Sequence, residues 1–304
     1  MLKNLLITGA AGAMGQALVK SLTEEFRGIK IIALDLDKNN VLDKLANLNG
    51  VIPADIEDFR KGQIDFSELN CVVHCAFARS QTGTALTQSI DFTRNIFEQC
   101  IKAGVPRVIN ISSQSIYGSF RTEPSAEDSP ANPNDLYGMA KYACEQLGEV
   151  IFAGSRSRLI NIRMASLVGL PYQERIINKM VKFAVENHKI RIVGGSQLFS
   201  FLHLEDAVCG LSAVIKAGEG NWKSVYNLGT DERYTIKELA SVIAATVEEK
   251  TGTPVVTELE ESDVKHAIPL DVSAFTGDFN WCAKVRLQDI VSEAAEFVIS
   301  SNAQ

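Results

Sequence analysis

Residues 5–15 read LLITGAAGAMG, a short apolar run followed by glycines at positions 9, 12 and 15. A buried strand ending at Thr8 needs a tight turn, which Gly9 permits. Gly12 lets backbone approach a pyrophosphate, and Gly15 lets the next helix lie against the strand. The start of that helix then offers free N–H groups to an anion. A glycine triplet alone is a weak signal, since ordinary turns match it. Here a second apolar run, residues 29–34, ends at Asp35, twenty residues beyond Gly15. Strand, helix, strand and acid therefore stand in the order of a dinucleotide-binding βαβ unit, whose acid accepts hydrogen bonds from an adenosine ribose. An acid at this place also repels a 2′-phosphate, so NAD is expected over NADP, a preference softened by Lys38 close behind.

The chain has 304 residues, 46% of them hydrophobic, enough for one large or two modest domains. Its net charge of −7 and lack of any basic stretch argue against a nucleic-acid partner. No apolar run approaches the roughly 20 residues of a membrane span, and the first core strand is reached by Leu5. A soluble, cytoplasmic protein is expected. Six cysteines (Cys71, Cys75, Cys100, Cys144, Cys209, Cys282) form no CxxC pair. They are expected mostly as buried free thiols in a reducing compartment, with no metal site.

Apolar runs and helical patterns alternate through the first half. Strands are expected at 5–8, 29–34, 50–53, 72–75, 107–112 and 159–163, with helices over 12–25, 84–103 and 134–153. The pattern is that of an α/β protein, a Rossmann-type doubly wound parallel sheet covered by helices on both faces. Beyond Arg163 the loops lengthen, with helices expected near Asp206, near Thr235 and over 287–299. The division expected is a cofactor domain over 1–165, to which some later segments return, and a smaller C-terminal lobe over 166–304 that mainly binds substrate.

A second motif, Tyr137-Gly-Met-Ala-Lys141, places two side chains on one face near a helix start. YxxxK is common by chance. It gains weight from Ser112-Ser113 at the end of the preceding strand, on the same edge as the glycine loop. A tyrosine works as acid or base near neutrality only if its pKa falls from about 10, and a neighbouring ammonium does that. The alternative is that Tyr137 merely packs and Lys141 is a solvated charge.

These motifs resemble the extended short-chain dehydrogenase/reductases of the NAD-dependent epimerase/dehydratase family, over essentially the whole chain. TGAAGAMG resembles TGxxGxxG, SSQSIYG resembles SSxxVYG, and Tyr137, Lys141 and Glu145 follow the family's helix pattern. Residues 74–77 resemble its HxAA strand end, 163–169 its RxxNVYG segment, and 226–229 its YNxG. The resemblance implies Ser113, Tyr137 and Lys141 as catalytic residues. It implies a cofactor cradle of Gly9, Gly12, Ala13, Met14, Gly15, Asp35, Asp55, Ile56, Cys75, Ala76, Phe77, Ile111 and Met164, with Tyr137 and Lys141. Arg79, Gln114, Ser115, Ser166 and Phe199 fall where substrate is touched. His203 and Asp206 resemble an HVxD stretch and are expected in a structural role, Asp206 as a helix cap. The family pairs the helices over 84–103 and 134–153 across a two-fold axis. Apolar residues such as Phe92, Phe97, Ile151 and Phe152 are then expected in a homodimer interface, or else in the core.

Departures from the family narrow the chemistry. Its 4,6-dehydratases carry Asp-Glu directly after the catalytic residue, where this chain has Gln114 and Ser115, so dehydration is disfavoured. Members epimerising at C3 and C5 have cysteine at the place of Ser115. What survives is 4-epimerisation, ketone reduction or alcohol oxidation on a sugar, expected to be nucleotide-linked. Yet the family's phosphate-binding arginine falls at Phe199, and two of its asparagines fall at Ser166 and Ser89. A phenyl ring cannot replace a bidentate arginine. Lys179, Arg191 or Lys265 would then hold a diphosphate, or the substrate is a small molecule without one. A cofactor-sensing protein without catalysis is a further alternative on the same fold.

Overall fold

The computed structural model describes residues 3–121, 123–217, 222–262 and 266–302. The first half runs β1 (Asn4–Thr8), α1 (Ala13–Glu25), β2 (Lys30–Asp35), α2 (Lys38–Leu45), β3 (Val51–Asp55) and α3 (Ile56–Arg60). It continues with β4 (Cys71–His74), α4 (Gly83–Ala103), β5 (Arg107–Ser113), α5 (Leu136–Phe152) and β6 (Arg158–Met164). The second half contains β7 (Ser166–Val168), α6 (Ile176–Asn187), β8 (Lys189–Val193), β9 (Leu198–Phe199), β10 (Phe201–His203) and α7 (Leu204–Lys216). It ends with β11 (Val225–Leu228), β12 (Tyr234–Thr235), α8 (Ile236–Thr251), β13 (Val256–Glu260), α9 (Ser273–Phe279) and α10 (Leu287–Asn302).

Seven strands form one sheet in the order β11-β6-β5-β4-β1-β2-β3, and the ladders from β3 across to β6 are parallel. This is the doubly wound α/β sheet expected from the alternating pattern, and its order reverses between β1 and β4, where such sheets bind ligands. Strands β4 and β5 are buried at every position, which suits apolar runs without alternation. Register brings the carboxyl ends together: Thr8 pairs with His74, Asp35 with Asp55, and His74 with Asn110. Strand β5 runs three residues farther, so Ser113 stands beyond the end of β4.

The chain divides into two compact units. One comprises Met1–Gly118, Pro130–Met164 and Val208–Tyr226; its core includes Leu6, Leu34, Val72, Ile96, Phe97 and Val108. Phe92, Phe97, Ile151 and Phe152 pack in the same cluster, so these residues of α4 and α5 belong to the core. The other comprises Ser119–Ser129, Ala165–Ala207 and Asn227–Gln304, and its core is built from α6, α8 and α10 around residues such as Val181, Ile243 and Val291. Helix α6 fills a stretch to which the sequence assigned no element: Ile177, Val181 and Ala184 are buried at helical spacing while Lys179 and Lys182 point out. The cysteines divide more evenly than expected. Cys71, Cys100 and Cys144 are buried, Cys75 is half-buried, and Cys209 and Cys282 are exposed, all as free thiols.

Two buried polar systems brace the first unit. His74 Nδ1 lies 2.8 Å from Thr8 Oγ1, and its Nε2 lies 2.9 Å from Thr93 Oγ1. The Thr93 hydroxyl donates to Ser89 O at 2.8 Å, so it accepts from His74 Nε2–H. Thr8 in turn accepts the Ala76 N–H at 3.1 Å and donates to Nδ1. The wire therefore requires a neutral imidazole protonated on Nε2, and burial with the Lys141 charge nearby lowers the His74 pKa to about 3. In the second system Arg163 meets Glu145 through Nε at 3.1 Å and Nη2 at 2.7 Å. Its Nη1 donates to Tyr117 Oη at 2.8 Å, and all three side chains are buried. This fork ties β6 to α5 and to the turn Gln114–Tyr117 that follows Ser113.

Both systems have measurable consequences. Between pH 6.5 and 3 the unfolded chain carries a proton on His74 that the native protein refuses. Stability should fall as pH falls through that window, by up to about 1.4 kcal/mol per pH unit. Urea unfolding at several pH values should show this slope in the parent and its loss in His74→Gln. Glu145→Ala strands a buried guanidinium and should cost about 3–5 kcal/mol, whereas Glu145→Leu with Arg163→Met should recover most of it. Denaturant midpoints of the single and double variants check this, and a single-variant cost below about 1 kcal/mol would contradict it.

Candidate cofactor and catalytic site

The glycine loop is shaped by backbone contacts that a side chain would destroy. Gly9 has φ 68°, and a Cβ there would sit 2.8 Å from Ala76 N. A Cβ on Gly15 would sit 2.2 Å from Gly9 O. Gly12 occupies the N-cap of α1, where no side chain caps the helix and no acidic residue stands in the first turn. The first N–H groups of α1, including those of Ala13 and Met14, lack intrahelical acceptors by helix geometry and are positioned to receive a phosphate. The loop is held from outside by Asp35 and by two residues the sequence did not single out, Gln16 and Lys44. The Ala11 N–H donates to Asp35 Oδ2 at 2.8 Å, while Ala11 O accepts from Gln16 Nε2 at 2.7 Å and Lys44 Nζ at 2.8 Å. Asp35 thus braces the loop while standing half-buried at the end of β2. Lys38 is engaged with Asp58 at 3.0 Å.

At the next strand, Asp55 caps α3 through a capping box with Asp58, which fixes Ile56 as the first helical residue. The segment after β4 places Cys75, Ala76 and Phe77 half-buried beside the glycine loop, and Ala78 N–H donates to Ser89 Oγ at 3.0 Å. Ser89, where the family has asparagine, therefore ties α4 to this segment. Arg79 is exposed on the loop beyond it.

Tyr137 and Lys141 lie one turn apart on α5, whose N-cap Asp135 accepts from the Gly138 N–H at 2.6 Å. Lys141 is only 4% exposed, and its ammonium donates to Ile111 O on β5 at 2.6 Å. The Phe77 ring lies 4.0 Å from the same Nζ and meets the Tyr137 ring edge to face at 5.8 Å. Burial lowers the Lys141 pKa to about 8, against the opposing pull of Cys144, Cys75 and Glu145. Burial also pushes the Cys75 thiol up to about 12, so it stays protonated. Ser113, at the end of β5, is buried and accepts the Ser115 N–H at 3.1 Å. A Cβ on Gly138 would sit 2.6 Å from Ser115 O, so the turn after Ser113 packs directly on the start of α5. Gln114 is buried, Ser115 half-buried, and Met164 ends the neighbouring strand β6. Serine, phenol and ammonium thus come from one strand end and one helix start, as hydroxyl activation requires.

The remaining sequence candidates belong to the second unit. Ser166 opens β7, in register with Phe201. Phe199 stacks on Phe201, with centroids 5.9 Å apart and planes at 4°, and lies 5.1 Å from the His266 ring. His203 Nε2 lies 3.3 Å from Glu293 Oε2. Asp206 is not a helix cap: α7 begins at Leu204, and the Asp206 carboxylate accepts the Lys284 and Val285 N–H groups at 2.9 and 2.8 Å. Lys179 pairs with Glu174 at 2.9 Å and Arg191 with Glu258 at 3.3 Å, and both cations are exposed. Lys265 lies outside the described residues.

Comparison with known proteins agrees with this architecture. A dTDP-D-glucose 4,6-dehydratase of Dictyostelium discoideum is 30% identical over 80% of this chain and 62% of its own length. The chain therefore spans less than two thirds of that relative. The mouse dTDP-D-glucose 4,6-dehydratase is 27% identical over 81% of this chain and 74% of its own. Among solved structures, a UDP-glucuronic acid 4-epimerase variant of Bacillus cereus, in complex with NAD and a fluorinated substrate analogue, shares the fold. Its TM-score is 0.81 at 19% identity, covering 98% of this chain and 99% of that one. The UDP-glucose 4-epimerase of Thermotoga maritima aligns with TM-score 0.79 at 22% identity, over 98% of this chain and 99% of that one. The NAD dependent epimerase/dehydratase family matches residues 5–229, and the chain belongs to that family.

Proposed function

We propose that the protein is an NAD-dependent oxidoreductase or epimerase acting on a hydroxyl or ketone of a nucleotide-linked sugar. The observation that carries this reading is the Tyr137–Lys141 pair, with its buried ammonium held on Ile111 O, two residues before Ser113 on β5. Relatives named as nucleotide-sugar dehydratases, and neighbours of the same fold bound to UDP-sugars and NAD, support the substrate class. The glycine loop, Asp35, Asp55, the segment from Cys75 to Phe77 and Lys141 would hold the cofactor, which when bound supplies a site that accepts and returns hydride. Tyr137 holds or takes the proton of the reacting oxygen, Ser113 orients that oxygen, and Lys141 favours the phenolate. Gln114 and Ser115 carry no group that moves a proton on and off carbon near neutrality, which argues against dehydration.

A second reading, a small substrate without a diphosphate, is favoured by the aromatic stack at Phe199 and the surface pairing of Lys179 and Arg191. No helix among the described residues is long and apolar enough to cross a membrane, and a cytoplasmic setting fits that and the six free thiols. Leu136, Met139 and Val150 of α5 are exposed, which supports a homodimer through that helix.

Tyr137→Phe should lower turnover by about 10²–10⁴-fold and leave NAD affinity nearly unchanged. Equilibrium binding of NAD beside turnover on UDP- and dTDP-sugars checks this, and a variant that keeps full turnover would refute the role of Tyr137. UDP alone should raise the unfolding temperature if the nucleotide-linked reading is right. Protection by free sugars and none by UDP would favour the second reading.

A further inference from the structure

Phe77 touches both members of the catalytic pair. Its ring face lies 4.0 Å from Lys141 Nζ, and it meets Tyr137 at an interplanar angle of 83°. The same Nζ lies 5.9 Å from the centroid of Tyr137, so ammonium, phenyl and phenol form one contiguous cluster. We propose that Phe77 is a positioning residue for Tyr137 and Lys141: its π face keeps the buried ammonium charged, and its contact with Tyr137 fixes the phenol beside that charge. The inference rests on the reading of Tyr137 as the proton-transfer group.

The cluster explains how a nearly dry ammonium stays protonated. One of its three N–H groups goes to Ile111 O. The titratable groups facing it are Cys75 and the neutral His74 from the β4 end, and Cys144 and Glu145 from α5. Burial keeps both thiols protonated, and the Glu145 carboxylate is shared with Arg163. The negative face of Phe77 therefore supplies an attraction at close range. An aliphatic side chain of similar bulk would keep water out but remove that attraction. Lys141 would then lose its proton more readily, and the Tyr137 phenol, deprived of a positive neighbour, would ionise at higher pH.

The test is an ultraviolet difference titration of tyrosine ionisation on the purified full-length chain, from about pH 6 to about pH 11. The parent should contain one tyrosine titrating below the ordinary value of about 10, absent from Tyr137→Phe. In Phe77→Leu and Phe77→Met that transition should move up by about half to one pH unit, and in Phe77→Trp, which keeps a π face, it should return towards the parent value. The pH profile of turnover should move the same way. A merely structural role would lower the unfolding temperature without moving the titration, and an unmoved transition in folded Leu and Met variants overturns the proposal. Two aliphatic replacements are used because either one alone can pack badly. Absence of an early-titrating tyrosine in the parent would instead sink the reading of Tyr137, and this inference with it; that failure is visible before any Phe77 variant is made.

Discussion

The carboxyl edge of the sheet depends on one close approach, between the backbone of Gly9 and that of Ala76. A side chain on Gly9 would sit within 2.8 Å of Ala76 N, so β1 and β4 can leave the sheet together only because Gly9 has none. The Thr8 hydroxyl, one residue earlier, accepts the Ala76 N–H and locks the same junction from the side. One residue after Ala76 comes Phe77, which touches Lys141 and Tyr137. The glycine loop is thereby joined to the Tyr137–Lys141 pair through two residues of backbone.

Three buried titratable systems in this unit are stabilised by three different physical means. Arg163 and Glu145 cancel each other in a forked pair, and Tyr117 takes the remaining nitrogen, so neither charge needs water. His74 avoids charge altogether, with both ring nitrogens bonded to threonine hydroxyls. Lys141 has neither solution. It keeps a carbonyl and a ring face, and burial lowers its pKa to about 8. The first two brace the strand ends and helix that surround the third.

Local patterns were legible in the sequence, and long-range pairings were not. The unit from β1 through β2 was readable because its constraints, positive φ at Gly9 and close approach at Gly15, concern residues within a few positions of each other. Helix α6 is not evident from the sequence because lysine and asparagine break up its apolar face, and the partners that bury it are α8 and α10, far along the chain. The clamp of Lys44 on Ala11 spans 33 residues and follows only once α2 is known to lie beside the glycine loop. Glu145 and Arg163 were each noticed as motif members, but their pairing needs the adjacency of α5 and β6. The surplus of phenylalanines on α4 and α5 allowed either an interface or a core. Contacts such as Phe97 with Phe152, centroids 5.5 Å apart, place them inside the unit.

The residues after Ser113 constrain the chemistry more than the names of relatives do. Ser115 is committed at both ends of its peptide unit, its N–H to Ser113 Oγ and its carbonyl against Gly138 at the start of α5. Neither a serine hydroxyl nor a glutamine amide ionises between pH 5 and 8, and neither can take a proton from carbon in that range. Under the proposed function, proton movement is confined to the reacting oxygen and falls to Tyr137. Ancestry shared with dehydratases accounts for the scaffold and the glycine loop. Under the proposed function, the groups at the strand end suit exchange of hydride and hydroxyl proton rather than loss of water.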